Sequence, residues 1–146
     1  MRLIVILFLL MAWDNLFAQD QKTYSEIKIV YGREKRHDYV EKANAIGMNH
    51  SVHLYVELGF KSDEVCVTVN DFPEQRFIVS TNSSTGFAHY LELGAIEKVR
   101  FLQIRVNHGK PVCVELEGDP KMNIMALNWV GEGLVLQFLE HYPIYD

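Results

Sequence analysis

The most constraining feature of this sequence is the alternation of apolar and polar residues across positions 87–118. Three extended segments lie there, separated by Gly94-Ala95 and by a turn at residues 107–110. Asn107 and Gly109 favour a tight hairpin in the second turn, because Asn and Gly tolerate positive φ angles. A period of two places one face of each strand in a core and the other in water. The stretch therefore predicts antiparallel β-structure.

The same alternation recurs along the rest of the chain. Four further strands are predicted, at 24–31, 52–58, 64–70 and 76–80. Residues 123–130 and 134–142 are apolar on both faces. They predict a doubly buried hairpin or, for the second segment, a terminal helix, because periodicity does not decide short apolar runs. Eight or nine short strands at this spacing predict an all-β fold, an antiparallel β-sandwich of about eight strands.

The first residues have the pattern of a signal peptide. Arg2 provides the positive end, and an apolar run follows over residues 3–13. The run is shorter than the roughly 18–20 residues that a bilayer span needs. Cleavage is predicted between Ala18 and Gln19, which makes residues 1–18 a signal peptide and residues 19–146 a single domain. The predicted location is secreted, extracellular or periplasmic; the alternative is an anchor that stays attached.

Composition narrows the class of partner. The chain is 49% hydrophobic and 23% charged, which is ordinary for a packed globular core. Its net charge of −5 argues against nucleic acid, because such binding needs a basic face that releases counterions from phosphates. The same charge argues against purely electrostatic docking on anionic lipid, although a local basic patch could still act.

Two cysteines occur in the chain, Cys66 and Cys113. An exported protein meets an oxidising compartment, so an even number of cysteines predicts a disulfide between them. Both lie opposite the more aliphatic face of their strands, so they would link neighbouring strands of one sheet or reach across at a twist. The alternative is two separate buried thiols. Catalytic use is not expected, because no neighbour in sequence would lower a thiol pKa.

Histidines and serines do not form a recognisable metal or catalytic motif. His50 and His53 are three residues apart, which in a strand points them to opposite faces. No zinc, zinc-protease or calcium-loop spacing occurs. Ser84 has a glycine on one side only, so it does not form a nucleophile elbow. No metal, no cofactor and no enzymatic activity are predicted.

Two sequons and three aromatic residues fall in predicted turns. Asn49 and Asn82 each begin an N-glycosylation sequon, which matters only in a host that glycosylates secreted proteins. Phe60 and Phe72 lie in turns, and Trp129 stands beside the turn at Gly131. Loop aromatics can insert into a lipid interface or anchor a protein partner. Their alternative role is packing beneath the ends of the sandwich.

Three segments resemble the PLAT β-sandwich, the domain found at the C-terminal end of pancreatic and lipoprotein lipases. The clearest is Leu93-Gly94-Ala95-Ile96-Glu97-Lys98-Val99-Arg100-Phe101-Leu102, similar to that family's Gly-x-Ile-x-Lys-Val-x-Phe segment. Residues 24–32 and 52–59 resemble its first two strands, and the resemblance extends over residues 24–118. The Gly-Thr-Asp run common in the family is missing, with Gly47-Met48-Asn49 the nearest match, and Pro111-Val112 replaces a frequent Trp.

The resemblance implies a binding module for lipid surfaces or protein partners, and no hydrolysis. The sequence hypothesis is thus a secreted, non-catalytic interaction module that docks at a lipid interface or on a membrane-associated protein through Phe60, Phe72 and Trp129. A second hypothesis is a secreted protein-binding or inhibitor-like sandwich that pairs through its apolar C-terminal hairpin, with a homodimer as one form. A small exported enzyme is the third.

Overall fold

The chain folds into a β-sandwich, as its alternation predicts. The computed structural model describes residues 27–34, 50–116, 118, 122–139, 142–143 and 145, and for residues 31–34 it describes the backbone alone. These residues form nine strands in two facing sheets and no helix longer than a single turn. In chain order the strands are β1 (Ile27–Glu34), β2 (Ser51–Val56), β3 (Asp63–Val69), β4 (Gln75–Val79), β5 (His89–Ala95), β6 (Phe101–Val106), β7 (Val112–Glu115), β8 (Ile124–Val130) and β9 (Gly133–Leu139).

The two sheets have five and four strands. The five-stranded sheet has the order β1-β9-β8-β2-β5, and the four-stranded sheet has the order β4-β3-β6-β7. The hairpin predicted around residues 107–110 joins β6 to β7, and Asn107 adopts a φ of 51° there. Among the described strands β1 pairs with β9, and β2 with β8, in parallel, while the other pairs are antiparallel. Side-chain alternation is the same in both arrangements, so the sequence pattern does not distinguish them.

The core lies between the sheets and consists of the aliphatic face of each strand. Leu54 from β2, Leu127 from β8 and Leu136 from β9 meet Val67 from β3 and Ile104 from β6 in this layer. All five side chains are at most 2% exposed. Removing this much apolar surface from water is the main force that holds two sheets together.

The C-terminal apolar segments form the hairpin, not the helix. β8 pairs antiparallel with β9 through a turn in which Gly131 has a φ of 61°. Both strands lie inside the five-stranded sheet, and every residue of β8 except Val130 is buried. An interior strand covered on both faces is apolar on both faces, which explains the missing alternation.

Two predictions fall outside the described residues: the signal peptide at residues 1–18 and the sequon at Asn49. Within the described part of the chain, no helix has the length and apolar character needed to cross a membrane.

Candidate functional site

The turns of the sandwich gather at two opposite ends. The strand registers place the turns at residues 70–74 and 96–100 at one end of the sandwich, together with the segment after Glu115. We call this the Phe72 end. The turns at residues 57–62, 80–88, 107–111 and 131–132 lie at the other, which we call the Trp129 end. The three predicted aromatic site residues are therefore divided between the two ends.

Phe60 and Trp129 are buried, which agrees with their alternative role of packing beneath an end of the sandwich and leaves neither ring exposed to a partner. Phe60 is 2% exposed and Trp129 is 8% exposed, with their ring centroids 6.3 Å apart. Gly59 allows the close approach: an added Cβ would lie 2.4 Å from the Cβ of Trp129. These rings fill the Trp129 end of the core, because a turn over a sandwich leaves apolar space that large side chains can occupy.

Phe72 is different, because its ring faces water. It is 66% exposed at the tip of the β3–β4 turn, where its amide donates to the carbonyl of Val69 at 3.0 Å. Phe101, at the start of β6 on the outer face of the four-stranded sheet, is 53% exposed at the same end. Two exposed aromatic rings at one end of a small sandwich are a feature of interaction surfaces.

Hydrogen bonds of Asn70 connect the turn at residues 70–74 to the start of β6. Its Oδ1 accepts hydrogen bonds from the amides of Arg100 at 2.9 Å and Phe101 at 3.0 Å, and its Nδ2 donates to the carbonyl of Lys98 at 2.8 Å. Its own amide donates to the carbonyl of Phe101 at 2.8 Å. Asn70 has a φ of 50°, which Asn tolerates better than most residues. The turn is therefore held in one place beside the β5–β6 turn.

A pocket of about 470 Å³ opens at the Phe72 end. We call it the end pocket; it is lined by Glu97, Arg100, Phe101, Glu115 and Gly118. Phe101 and Glu115 are register partners across β6 and β7, so their side chains stand next to each other on the outer face. Among the residues that the structure describes, the three charged side chains of the pocket form no ion pair. Sequence analysis missed this pocket, because its lining comes from two turns and two strand ends.

The predicted disulfide is wrong: both cysteines are free. Cys66 lies on β3 and Cys113 on β7, with β6 between them. Two strand spacings separate them by about 10 Å, whereas bonded cysteines have Cα atoms about 4.4–6.8 Å apart. The prediction that they share one sheet, opposite its aliphatic face, is correct, but they are not on neighbouring strands.

Cys66 has an electrostatic environment that disfavours the thiolate. It is 1% exposed, and burial together with its hydrogen bond to Glu64 raises the pKa of the thiol to about 11. Arg105 donates to its Sγ at 3.2 Å and also to the carboxylate of Glu74 at 3.2 Å. The hydrogen bond from Arg105 lowers the pKa of Glu74. A protonated, covered thiol is a poor nucleophile, so this cluster has a structural role.

The second sequon lies in an exposed turn. Asn82 is exposed, and its Oδ1 accepts a hydrogen bond from the amide of Ser84 at 2.9 Å. Glycosylation at Asn82 stays a prediction. Among the described residues, no group of three His, Cys, Asp or Glu side chains is placed to hold a metal ion.

The outer face of the five-stranded sheet carries a buried polar cluster, although the alternation in β2 predicts that His53, Tyr55 and Glu57 face water. It comprises six residues, His53, Tyr55, Glu57, Tyr90, Asn128 and Tyr145. Its most buried polar members, His53 and Glu57, are each 1% exposed. Tyr142, which precedes Tyr145 in the C-terminal segment, packs edge-on against His53 with ring centroids 5.2 Å apart.

Hydrogen bonds satisfy this cluster. Glu57 accepts from Tyr145 at 2.6 Å and from the Asn128 side chain at 3.0 Å, while the ring nitrogen Nδ1 of His53 lies 2.8 Å from the Tyr90 hydroxyl. Burial raises the pKa of Tyr55 and of Tyr90. The sequence signal for this cluster is that residues 123–130 are apolar on both faces, because an apolar outer face of β8 must be covered by other residues.

Comparison of the chain with known protein families, curated proteins and solved structures finds no match. The resemblance to the PLAT family therefore stays a prediction.

Proposed function

We propose that this protein is an exported, non-catalytic interaction module that docks at a lipid interface through its Phe72 end. The observation that carries the proposal is the exposure of Phe72, whose ring is 66% open to water at the tip of a turn. Moving such a ring into an apolar environment is worth up to about 1.5–3 kcal/mol. Insertion of the ring into a lipid interface gains that free energy with little change in the conformation of the protein.

The turn is already ordered for this role. Asn70 holds the turn through three side-chain hydrogen bonds to the β5–β6 segment. A ring carried on an ordered turn loses less conformational entropy when it inserts than a ring on a loose loop. Phe101 adds a second exposed ring at the same end.

The charges around Phe72 are mixed. Asp71 and Glu97 are exposed at this end, and so are Lys98 and Arg100. With a net charge of −5 on the chain, attraction to anionic lipid is not the expected driving force. Apolar insertion into an interface of low net charge fits both the exposed rings and the balanced charges around them.

Pairing through the C-terminal hairpin has less support. Both β8 and β9 lie inside the five-stranded sheet, with their apolar side chains in the core or under Tyr142 and Tyr145. The hairpin therefore offers a partner little beyond its tip, where Val130 is 62% exposed.

Co-sedimentation with neutral phosphatidylcholine vesicles tests the proposal. We expect binding that is unchanged between low and high salt, since salt screens charge interactions but not apolar insertion. Phe72→Ala should lower the partition coefficient about tenfold, which corresponds to about 1.4 kcal/mol. Ile78→Ala is the matched control, because Ile78 is 70% exposed on β4, away from the turn. Absence of vesicle binding, or equal loss in both variants, would refute docking through Phe72.

A further inference from the structure

The end pocket combines both signs of charge with an aromatic wall. Glu97 and Glu115 contribute carboxylates, Arg100 contributes a guanidinium, and Phe101 contributes an exposed ring. Its volume of about 470 Å³ falls within the size of pockets that hold small ligands. A ligand for this pocket must satisfy opposite charges at once.

The cationic part of the ligand follows from Phe101 and Glu115. They are opposite each other in the β6–β7 register, so a carboxylate stands next to an aromatic ring that is 53% exposed. Aromatic faces attract cations, and quaternary ammonium groups in particular are recognised by aromatic rings. Glu97 adds a second carboxylate to the lining of the same pocket.

The anionic part follows from Arg100. Within the described part of the chain its guanidinium forms no ion pair, although two carboxylates line the same pocket. A guanidinium has five N–H donors and no acceptor, and phosphate is its natural complement. A simple amine would leave Arg100 uncompensated, and a simple phosphate would face two carboxylates.

We propose that the end pocket binds a zwitterionic phosphocholine headgroup, with the trimethylammonium group against Phe101, Glu97 and Glu115 and the phosphate on Arg100. This inference rests on the proposed docking at a lipid interface and names the lipid class that the Phe72 end selects. The pocket and Phe72 lie at the same end of the sandwich, joined through Asn70. A headgroup bound in the pocket therefore belongs to the layer into which the Phe72 ring inserts.

The first experiment uses soluble ligands, followed by NMR chemical-shift titration of the whole protein. For a ligand of about eleven heavy atoms we expect a Kd of about 1 mM for phosphocholine, from a ligand efficiency of roughly 0.4 kcal/mol per atom. Choline alone and glycerol phosphate alone should each bind at least about fivefold more weakly. If phosphocholine does not bind, or binds no better than choline, the inference fails.

Two variants separate the two halves of the site. Glu115→Gln should weaken both choline and phosphocholine by about fivefold, whereas Arg100→Gln should weaken phosphocholine and leave choline unchanged. Glu132→Gln is the matched control, because Glu132 is an exposed glutamate in the β8–β9 turn at the Trp129 end. If Glu115→Gln binds both ligands as the parent does, or Glu132→Gln weakens them as much, the site is wrong.

Vesicles then separate this inference from the proposed function. Preference for phosphatidylcholine over phosphatidylglycerol, lost in Arg100→Gln and Glu115→Gln, supports both. Equal binding to the two lipids without binding of soluble phosphocholine would overturn the inference and leave interface docking in place. Binding of soluble phosphocholine without vesicle binding would support the headgroup site, assign it to the free ligand and refute membrane docking. Phe72→Ala should lower vesicle partitioning about tenfold and keep phosphocholine binding, since Phe72 does not line the pocket.

Discussion

Tyr145 donates its hydroxyl hydrogen to the buried carboxylate of Glu57 across 2.6 Å. The two residues lie 88 positions apart, and their contact places the C-terminal segment on the outer face of the five-stranded sheet. Glu57 also accepts from Asn128, so its two oxygens have separate donors. A carboxylate that is 1% exposed is tolerated only with such donors, because an unpaired buried charge is very costly.

Tyr145→Phe should lower the free energy of unfolding by about 2 kcal/mol, as expected for losing a hydrogen bond to a buried charged group. Chemical denaturation followed by tryptophan fluorescence measures the change. A double-mutant cycle with Glu57→Gln provides the control. Because the two groups contact each other, the combined loss should be smaller than the sum of the single losses by about 1 kcal/mol or more. Strict additivity would show that the contact contributes nothing.

Gly59→Ala should be much more destabilising than Gly131→Ala. Both glycines have positive φ angles, of 87° and 61°, so both substitutions incur a backbone cost of about 1–2 kcal/mol. At Gly59 the new Cβ would also collide with Trp129, whereas at Gly131 nothing lies within 4 Å. We expect a total loss of about 3 kcal/mol for Gly59→Ala. Thermal unfolding of the two variants gives the comparison, and equal losses would show that the Trp129 contact relaxes without cost.

Asn70→Gly should destabilise the protein by about 1–2 kcal/mol, although glycine accepts the positive φ at this position. The variant removes three side-chain hydrogen bonds to the β5–β6 segment while leaving Phe72 in the chain. Vesicle partitioning should fall a few-fold as well, because a loosened turn must be ordered on insertion. Unfolding and co-sedimentation measure the two effects. Vesicle binding equal to that of the parent would show that insertion of Phe72 does not depend on the hydrogen bonds of Asn70.

The two thiols should differ in reactivity. Cys113 is exposed and should react readily with a disulfide reagent at pH 8. Cys66 is buried with a pKa of about 11, so roughly one thiol in a thousand is ionised at that pH and its reaction should be far slower than that of Cys113. Raising the pH increases the thiolate fraction, so the slow reaction should accelerate above pH 9. Cys113→Ser should remove the fast phase alone; two fast thiols would contradict the burial of Cys66.

Most of the sandwich is predictable from local sequence, but the buried polar cluster on the outer face of the five-stranded sheet is not. The alternation through Val52, Leu54 and Val56 correctly identifies β2 and its inward face, because that pattern depends only on strand geometry. The same pattern assigns His53 and Glu57 to water, which is wrong. Whether a sheet face is wet depends on distant residues, here the segment that ends at Tyr145, and alternation within β2 contains no information about them.

The candidate site is predictable in part for a related reason. A turn with Pro73 beside Phe72 correctly indicates a loop, and the exposure of Phe72 agrees with a role in binding. Phe60 and Trp129 have the same local signature, yet they pack on each other because the segment after β2 runs beside the end of β8, where the amide of Trp129 donates to the carbonyl of Leu58. The end pocket needs the β6–β7 register to bring Phe101 beside Glu115, which sequence spacing alone does not supply.

The parallel pairing of β1 with β9 has a consequence for the order of folding. The first described strand finds its neighbour more than 100 residues later, when Ile27 meets Leu134. β2 likewise waits for β8, so the five-stranded sheet lacks the strands between β1 and β2 until residues 124–139 have been synthesised. Contacts this distant in sequence are slow to form. The growing chain therefore cannot complete this sheet until its last described strand has been made, and the edges at which β1 and β2 pair with β9 and β8 stay unpaired until those strands exist.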